Sequence, residues 1–221
     1  MGKKEKVVME KSLVLIADIE ASRDVEGKDR EVLQKSLKDI LTNLNERGEG
    51  IVSPYTITLG DEFQAVFDEA DHLFVQMLKI MAALHPVTVR FSLGIGSIDT
   101  PLNTEQAIGM DGPAFHRARK GIEILKENGF LFGIRSEDNE GLMLKILNNS
   151  LQLLSKQMRG WNKTRIKILY MLKEGCDYKV ISDELDISRT AFYKNKEAGA
   201  LEVIDELSDN MAAMINQELG S

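Results

Sequence analysis

A chain of 221 residues with 43% apolar residues, 29% charged residues and a mean hydropathy of −0.19 has the composition of a globular protein, sized for one large domain or one ordinary domain plus a small one. Its net charge of −7 excludes capture of nucleic acid or acidic membranes by bulk charge, and the single Cys176 excludes an internal disulfide framework. The first apolar run, Leu13 to Ala17, is five residues long and ends at Asp18, too short for a signal-peptide core or a membrane span, so the expectation is a cytoplasmic protein with no membrane partner.

The first predicted element is "SLVLIAD", a continuous apolar run closed by an acid, as in a strand buried on both faces. Residues 28 to 47 carry Leu33, Leu37, Ile40 and Leu44 at spacings of four, three and four, which predicts an amphipathic helix. "TITLGDEFQAVF", Thr56 to Phe67, reads as a hairpin. With Gly60, Asp61 and Glu62 as a three-residue loop, Leu59 faces Phe63, Ile57 faces Ala65 and Tyr55 faces Phe67, and the two acids sit at an exposed tip.

A second helix, "EADHLFVQMLKIMAAL", places Leu73, Met77, Ile80, Met81 and Leu84 on one side and stops before Pro86. "VTVRFSLGIGSI" then alternates strictly, with Val87, Val89, Phe91, Leu93 and Ile95 on one face and Thr88, Arg90, Ser92, Gly94 and Gly96 on the other. Glycines on one face leave room either for a ligand or for another backbone. A third helix runs from about Gly112 to Asn128, and "GFLFGIRS" reads as a closing strand. This order contains βαββαβ, which predicts an α+β fold on the ferredoxin-like plan, an antiparallel sheet with its helices on one face.

The polar break "SEDNEG", 136 to 141, precedes a helix of roughly residues 142 to 158. Charge changes here: from Lys156 to Ala200 ten Lys and Arg stand against six acids, a balance of +4 that leaves −11 for the remainder. An acidic body with a basic segment predicts two parts with different partners. Trp161 to Ala200 holds three short helical patterns, marked by Ile166, Leu169, Tyr170 and Leu172, then by Val180, Ile181 and Leu185, then by Ser188 as an N-cap. The brief break "DIS" between the last two is the mark of a helix-turn-helix, although Asp186 stands where that turn usually has glycine.

In that reading "SRTAFYKNK" is the recognition helix, offering Arg189, Thr190, Tyr193, Lys194 and Lys196 to DNA bases and phosphates. The same segment also fits a small bundle that packs on the first domain or forms a homodimer. The tail from Leu201 is an amphipathic helix, with Ile204, Leu207, Met211, Met214 and Ile215 on the same side. The expected domains are therefore 1–141, a connecting helix 142–158, and an all-α unit 159–221.

The end of "LVLIAD" and the tip "GDE" become neighbours in such a sheet, bringing Asp18 towards Asp61. Two carboxylates about 4 Å apart repel by roughly 4 kcal/mol at an effective dielectric of 20, so they need a cation, a shared proton or an arginine. A divalent metal, magnesium or manganese, is the economical answer; in the alternative both acids are turn residues.

"IADIEASR", "ITLGDEFQAVF" and "VRFSLGIGSI" resemble, in order and spacing, the core motifs of class III nucleotidyl cyclases and, more distantly, of GGDEF domains. The chain as a whole resembles the SatD family, bacterial proteins that join such a domain to a helix-turn-helix, with "GDEFQ" and "IGMDGPAFHRAR" as the most specific pieces. The resemblance implies an ATP or GTP site in which Asp18, Asp61 and the Ile19 carbonyl, with Glu62 beside them, hold the metal. It further implies Asp111 as the base-selecting acid, Gly94 and Gly96 against the nucleotide, and Arg117 or Arg119 on the transferring phosphate. Cyclases place an Asn on the same helix, and the corresponding position here is Ala114 or Phe115. The leading expectation is a regulator that binds a nucleotide, a metal and DNA; its rivals are an active cyclase or nucleotidyltransferase and a ligand-free interaction module.

Overall fold

The computed structural model describes residues 11–20, 27–58, 60–139 and 141–220. In chain order these hold β1 (Ser12–Ile19), α1 (Gly27–Arg47), β2 (Ile51–Ile57), β3 (Glu62–Phe67), α2 (Leu73–Leu84), β4 (Val89–Gly96), α3 (Pro113–Asn128) and β5 (Phe132–Arg135). Five further helices follow: α4 (Leu142–Met158), α5 (Lys163–Lys173), α6 (Tyr178–Glu184), α7 (Arg189–Ala198) and α8 (Leu201–Leu219).

The strands form one sheet in the order β2-β3-β1-β4-β5, antiparallel except for the β4–β5 pair. β1 lies in the middle and all eight of its residues are buried. Leu13, Leu15 and Ala17 join Phe63, Phe67, Phe91 and Leu93 under α1, α2 and the C-terminal helices. Val14 and Ile16 face the other way, with Val66, and meet Ala114, Phe115, Ala118 and Ile122 of α3. Helices therefore cover both faces, not one as expected. The physical reason lies in β1 itself: both alternations of "LVLIA" are apolar, and each needs its own cover.

The hairpin register also differs from the expected one. Ile57 pairs with Phe63 and Thr56 with Gln64, while the Thr58 N–H donates to the Glu62 carbonyl at 2.9 Å, so β3 starts at Glu62 and the acid belongs to the strand. Gly60, at φ +63°, supplies the left-handed residue of the turn. The slip is two residues, which preserves the faces and leaves Tyr55 on the core side, and β2 carries two further register shifts, between Ile51 and Ser53 and between Ser53 and Thr56. Leu59, expected opposite Phe63, lies outside the described residues.

Both edge strands are closed by an asparagine from a neighbouring helix. Asn45 of α1 accepts from the Tyr55 N–H at 2.8 Å and donates to its carbonyl at 3.0 Å. Asn148 of α4 makes the same pair with Ile134, at 3.0 and 2.9 Å. A side-chain amide thereby replaces the missing neighbour strand at each place, which satisfies the backbone and blocks further pairing. Ser155, fully buried in α4, accepts from the Leu131 and Phe132 N–H groups at 3.0 and 3.1 Å.

The C-terminal helices share one apolar core with the sheet: Leu169 of α5, Phe192 of α7 and Ile215 of α8 belong to the same cluster as Phe91. α8 returns to the sheet domain, where the Asn216 side chain accepts from the Ala70 N–H at 2.7 Å and Lys11 Nζ donates to the Glu218 carbonyl at 2.9 Å. Asp177 and Ser188 cap α6 and α7, the latter at the predicted position. Between these helices Asp186 takes φ +49°, the left-handed conformation that a tight turn requires.

Candidate functional site

The end of β1 is where the motif residues meet. Asp18 stands opposite Glu62 of β3 on one side and Arg90 of β4 on the other, and all three point to the face covered by α3. The Ile19 N–H donates to the Asp61 carbonyl at 3.0 Å, which ties the hairpin to the strand end. The carboxylate directly across from Asp18 is thus that of Glu62, the first residue of β3.

Cations separate the acids. Asp18 Oδ2 receives Arg90 Nη1 at 3.2 Å and its Oδ1 receives Lys126 Nζ at 2.7 Å. Glu62 Oε1 receives Arg119 Nη1 at 3.2 Å and the Thr58 hydroxyl at the same distance. Arg90 also binds Glu20 through Nη2, and Arg159, the C-cap of α4, reaches Glu20 Oε2 at 2.9 Å. Lys126, Asp18, Arg90, Glu20 and Arg159 thereby form one continuous ionic chain from α3 across the sheet to the C-terminal helices. The Arg159 hydrogen bond, with the charges of Arg90 and Arg159, outweighs desolvation and holds the Glu20 carboxyl below its ordinary range.

Among the described residues no group of three or more His, Cys, Asp and Glu is placed to hold a metal ion. Both Asp18 oxygens already carry a cation, so the residues as arranged do not fit a resident divalent metal. Of the network, Arg90, Lys126, Glu20 and Arg159 were absent from the residues singled out in the sequence. Arg90 carried a signal, being the one charge on a strand face otherwise made of Thr, Ser and Gly; Lys126 and Arg159 carried none.

Other expected site residues are committed elsewhere. A Cβ added at Gly94 would lie 2.1 Å from the Ala114 carbonyl oxygen, and one at Gly96 would lie 2.4 Å from Arg117 Nη1 and 3.0 Å from the Ala114 nitrogen. The room on this face is filled by α3, so these glycines admit a helix backbone and not a nucleotide. Ala114 and Phe115, the positions matching the cyclase Asn, are buried against the sheet. Arg117 donates to the Ile95 carbonyl at 2.7 Å, while Asp111 meets His116 at 3.1 Å on the surface. Arg119 is half exposed and stays with Glu62.

In the C-terminal part, Arg189, Thr190, Tyr193 and Lys194 all lie exposed on α7. The Arg189 guanidinium lies 5.4 Å from the ring centre of Tyr178 and 5.6 Å from that of Tyr193, which presents it in a fixed place. Lys196 instead pairs with Glu202 at the start of α8.

The fold is a mixed α/β one, and parts of it align with solved cyclase and GGDEF domains. A bacterial light-regulated adenylyl cyclase aligns with a TM-score of 0.43 and 17% identity, covering 56% of this chain and 74% of that one. The guanylate cyclase domain from Catenaria anguillulae in complex with GTP aligns at 0.38 and 18%, covering 52% and 72%. A microbial GGDEF domain studied with cyclic di-GMP aligns at 0.36 and 17%, covering 57% and 77%. The chain belongs to the SatD family, which it matches over residues 12–214. No curated protein matches it. Among the described residues no helix is long and apolar enough to cross a membrane.

Proposed function

We propose that this SatD-family chain is a regulatory protein that binds DNA through α6 and α7 and a nucleotide through its sheet domain, without turnover. The observation that carries the DNA half is the outward face of α7, where Arg189, Thr190, Tyr193 and Lys194 are exposed together beyond a tight turn from a short preceding helix. That arrangement suits a recognition helix, with Lys194 as a phosphate contact and Arg189, held by two tyrosines, as a base or phosphate contact. In this reading α6 and α7 are a helix-turn-helix, and the order β2-β3-β1-β4 is the ferredoxin-like plan.

The nucleotide half is supported by the cyclase-like motifs, whose residues gather where β1 meets the hairpin. Four cations, Arg90, Lys126, Arg119 and Arg159, stand there among four acids, Asp18, Glu20, Asp61 and Glu62, and the two most exposed of these cations, Arg119 and Lys126, are the groups open to an anionic ligand. Binding without turnover follows from the cyclase Asn position being filled by buried Ala114 or Phe115 and from Arg117 being held by the Ile95 carbonyl. Magnesium or manganese at Asp18, Ile19, Asp61 and Glu62, expected from the sequence for the regulator and the enzyme alike, is kept here for the enzyme reading alone.

DNA affinity of the full chain should fall steeply with salt, and Lys194→Ala should reduce the slope by about one. An affinity indifferent to both removes the DNA half. Calorimetric titration with ATP and GTP, in magnesium and in chelator, tests the other half: no binding in either sinks it, and a new product on chromatography moves the chain to the enzymes.

A further inference from the structure

We infer that the Lys126 ammonium occupies the cation position at Asp18, so that the chain neutralises this carboxylate from its own side chains and takes up no divalent metal there. Asp18 is largely buried, with only 10% of its side chain exposed, and a carboxylate so placed needs compensating charge. Lys126 supplies it at 2.7 Å on one oxygen and Arg90 at 3.2 Å on the other. A divalent ion added to this node would sit beside two positive charges, which opposes its entry.

The two cations differ in how firmly they are held. Arg90 is embedded in the sheet, 11% exposed, and also tied to Glu20. Lys126 stands in the last turn of α3, where the helix dipole favours a cation, and 47% of its side chain is open to solvent on a flexible stem. Removing the Lys126 charge therefore leaves Asp18 with only the Arg90 that it shares with Glu20, while Arg90 keeps the sheet intact. No nucleotide is needed for this, so a failed nucleotide titration leaves it standing.

The test is titration of the full, nucleotide-free chain with manganese, reading the free-ion paramagnetic resonance signal. Wild type should show no saturable binding that Asp61→Ala or Asp18→Asn alters. Lys126→Met should bind one manganese saturably, roughly tenfold or more tighter than the weak background uptake of wild type, the effect of one removed charge at a partly exposed site. Adding Asp18→Asn to it should abolish the gain, and Lys126→Arg, which keeps the charge, should behave as wild type. One-to-one manganese binding by wild type that Asp61→Ala removes overturns the inference, and this arm needs no variant at Lys126. A Lys126→Met chain that melts as wild type does and binds no tighter also overturns it, as does equal gain in Lys126→Arg.

Discussion

Replacing Gly94 by alanine separates two roles for the glycine face of β4, room for a ligand and room for a helix. The added Cβ would lie 2.1 Å from the Ala114 carbonyl oxygen, 2.5 Å from the Ala118 nitrogen and 3.0 Å from the Ala118 Cβ. Two of these atoms are backbone, so no rotamer change relieves the overlap. α3 must lift by roughly 1 Å to restore ordinary contact distances. Lifting it loosens the packing of Phe115, Ala118 and Ile122 on Val14, Ile16 and Val66. Overpacking of this kind costs about 3 kcal/mol, which for a chain of this size lowers the melting temperature by about 6–12 °C. Gly96→Ala should cost less, about 1 kcal/mol, because its nearest contact is the far end of Arg117, which can swing aside at the loss of its bond to the Ile95 carbonyl. Thermal and urea denaturation of both variants, followed by circular dichroism, gives the order. A Gly94→Ala protein that melts within about 1 °C of wild type yet no longer binds nucleotide would refute the reasoning and return this face to a ligand.

Ser155→Ala should leave the Leu131 and Phe132 N–H groups buried without a partner, at a cost of about 2–4 kcal/mol in urea denaturation; a loss below about 0.5 kcal/mol would show that another acceptor reaches them. Glu20 is held below its ordinary value of 4.5, first by the Arg159 hydrogen bond, so its contribution to stability is complete above that pH and disappears as pH falls through the lowered value. Melting temperature should therefore drop more steeply below pH 4.5 for wild type than for Glu20→Gln, and parallel curves would remove Glu20 from the ionic chain.

The elements themselves were legible from periodicity. The pattern Leu33, Leu37, Ile40, Leu44 marks α1, strict alternation marks β4, and the helix expected at 142–158 is α4 to the residue. Ser188 was recognisable as a cap because a serine before a helical pattern satisfies a free N–H locally. The hairpin register was not legible, because a slip of two residues keeps every side chain on its face and the alternation cannot distinguish the alternatives. Gly94 and Gly96 marked a close approach without saying of what, since an absent side chain signals space and not its occupant.

By itself the sequence determined the strand and helix order, the central burial of β1 and the meeting of its acidic end with the hairpin, because these follow from local patterns of polarity and from neighbouring motifs. Only the tertiary structure decided that Asp18 is met by Lys126 and Arg90, that Glu62 and not Asp61 stands across from it, and that Glu20 leads through Arg159 to the C-terminal helices. Those partners come from distant elements, and a charged side chain in a sequence carries no mark of which opposite charge the fold will bring into contact with it.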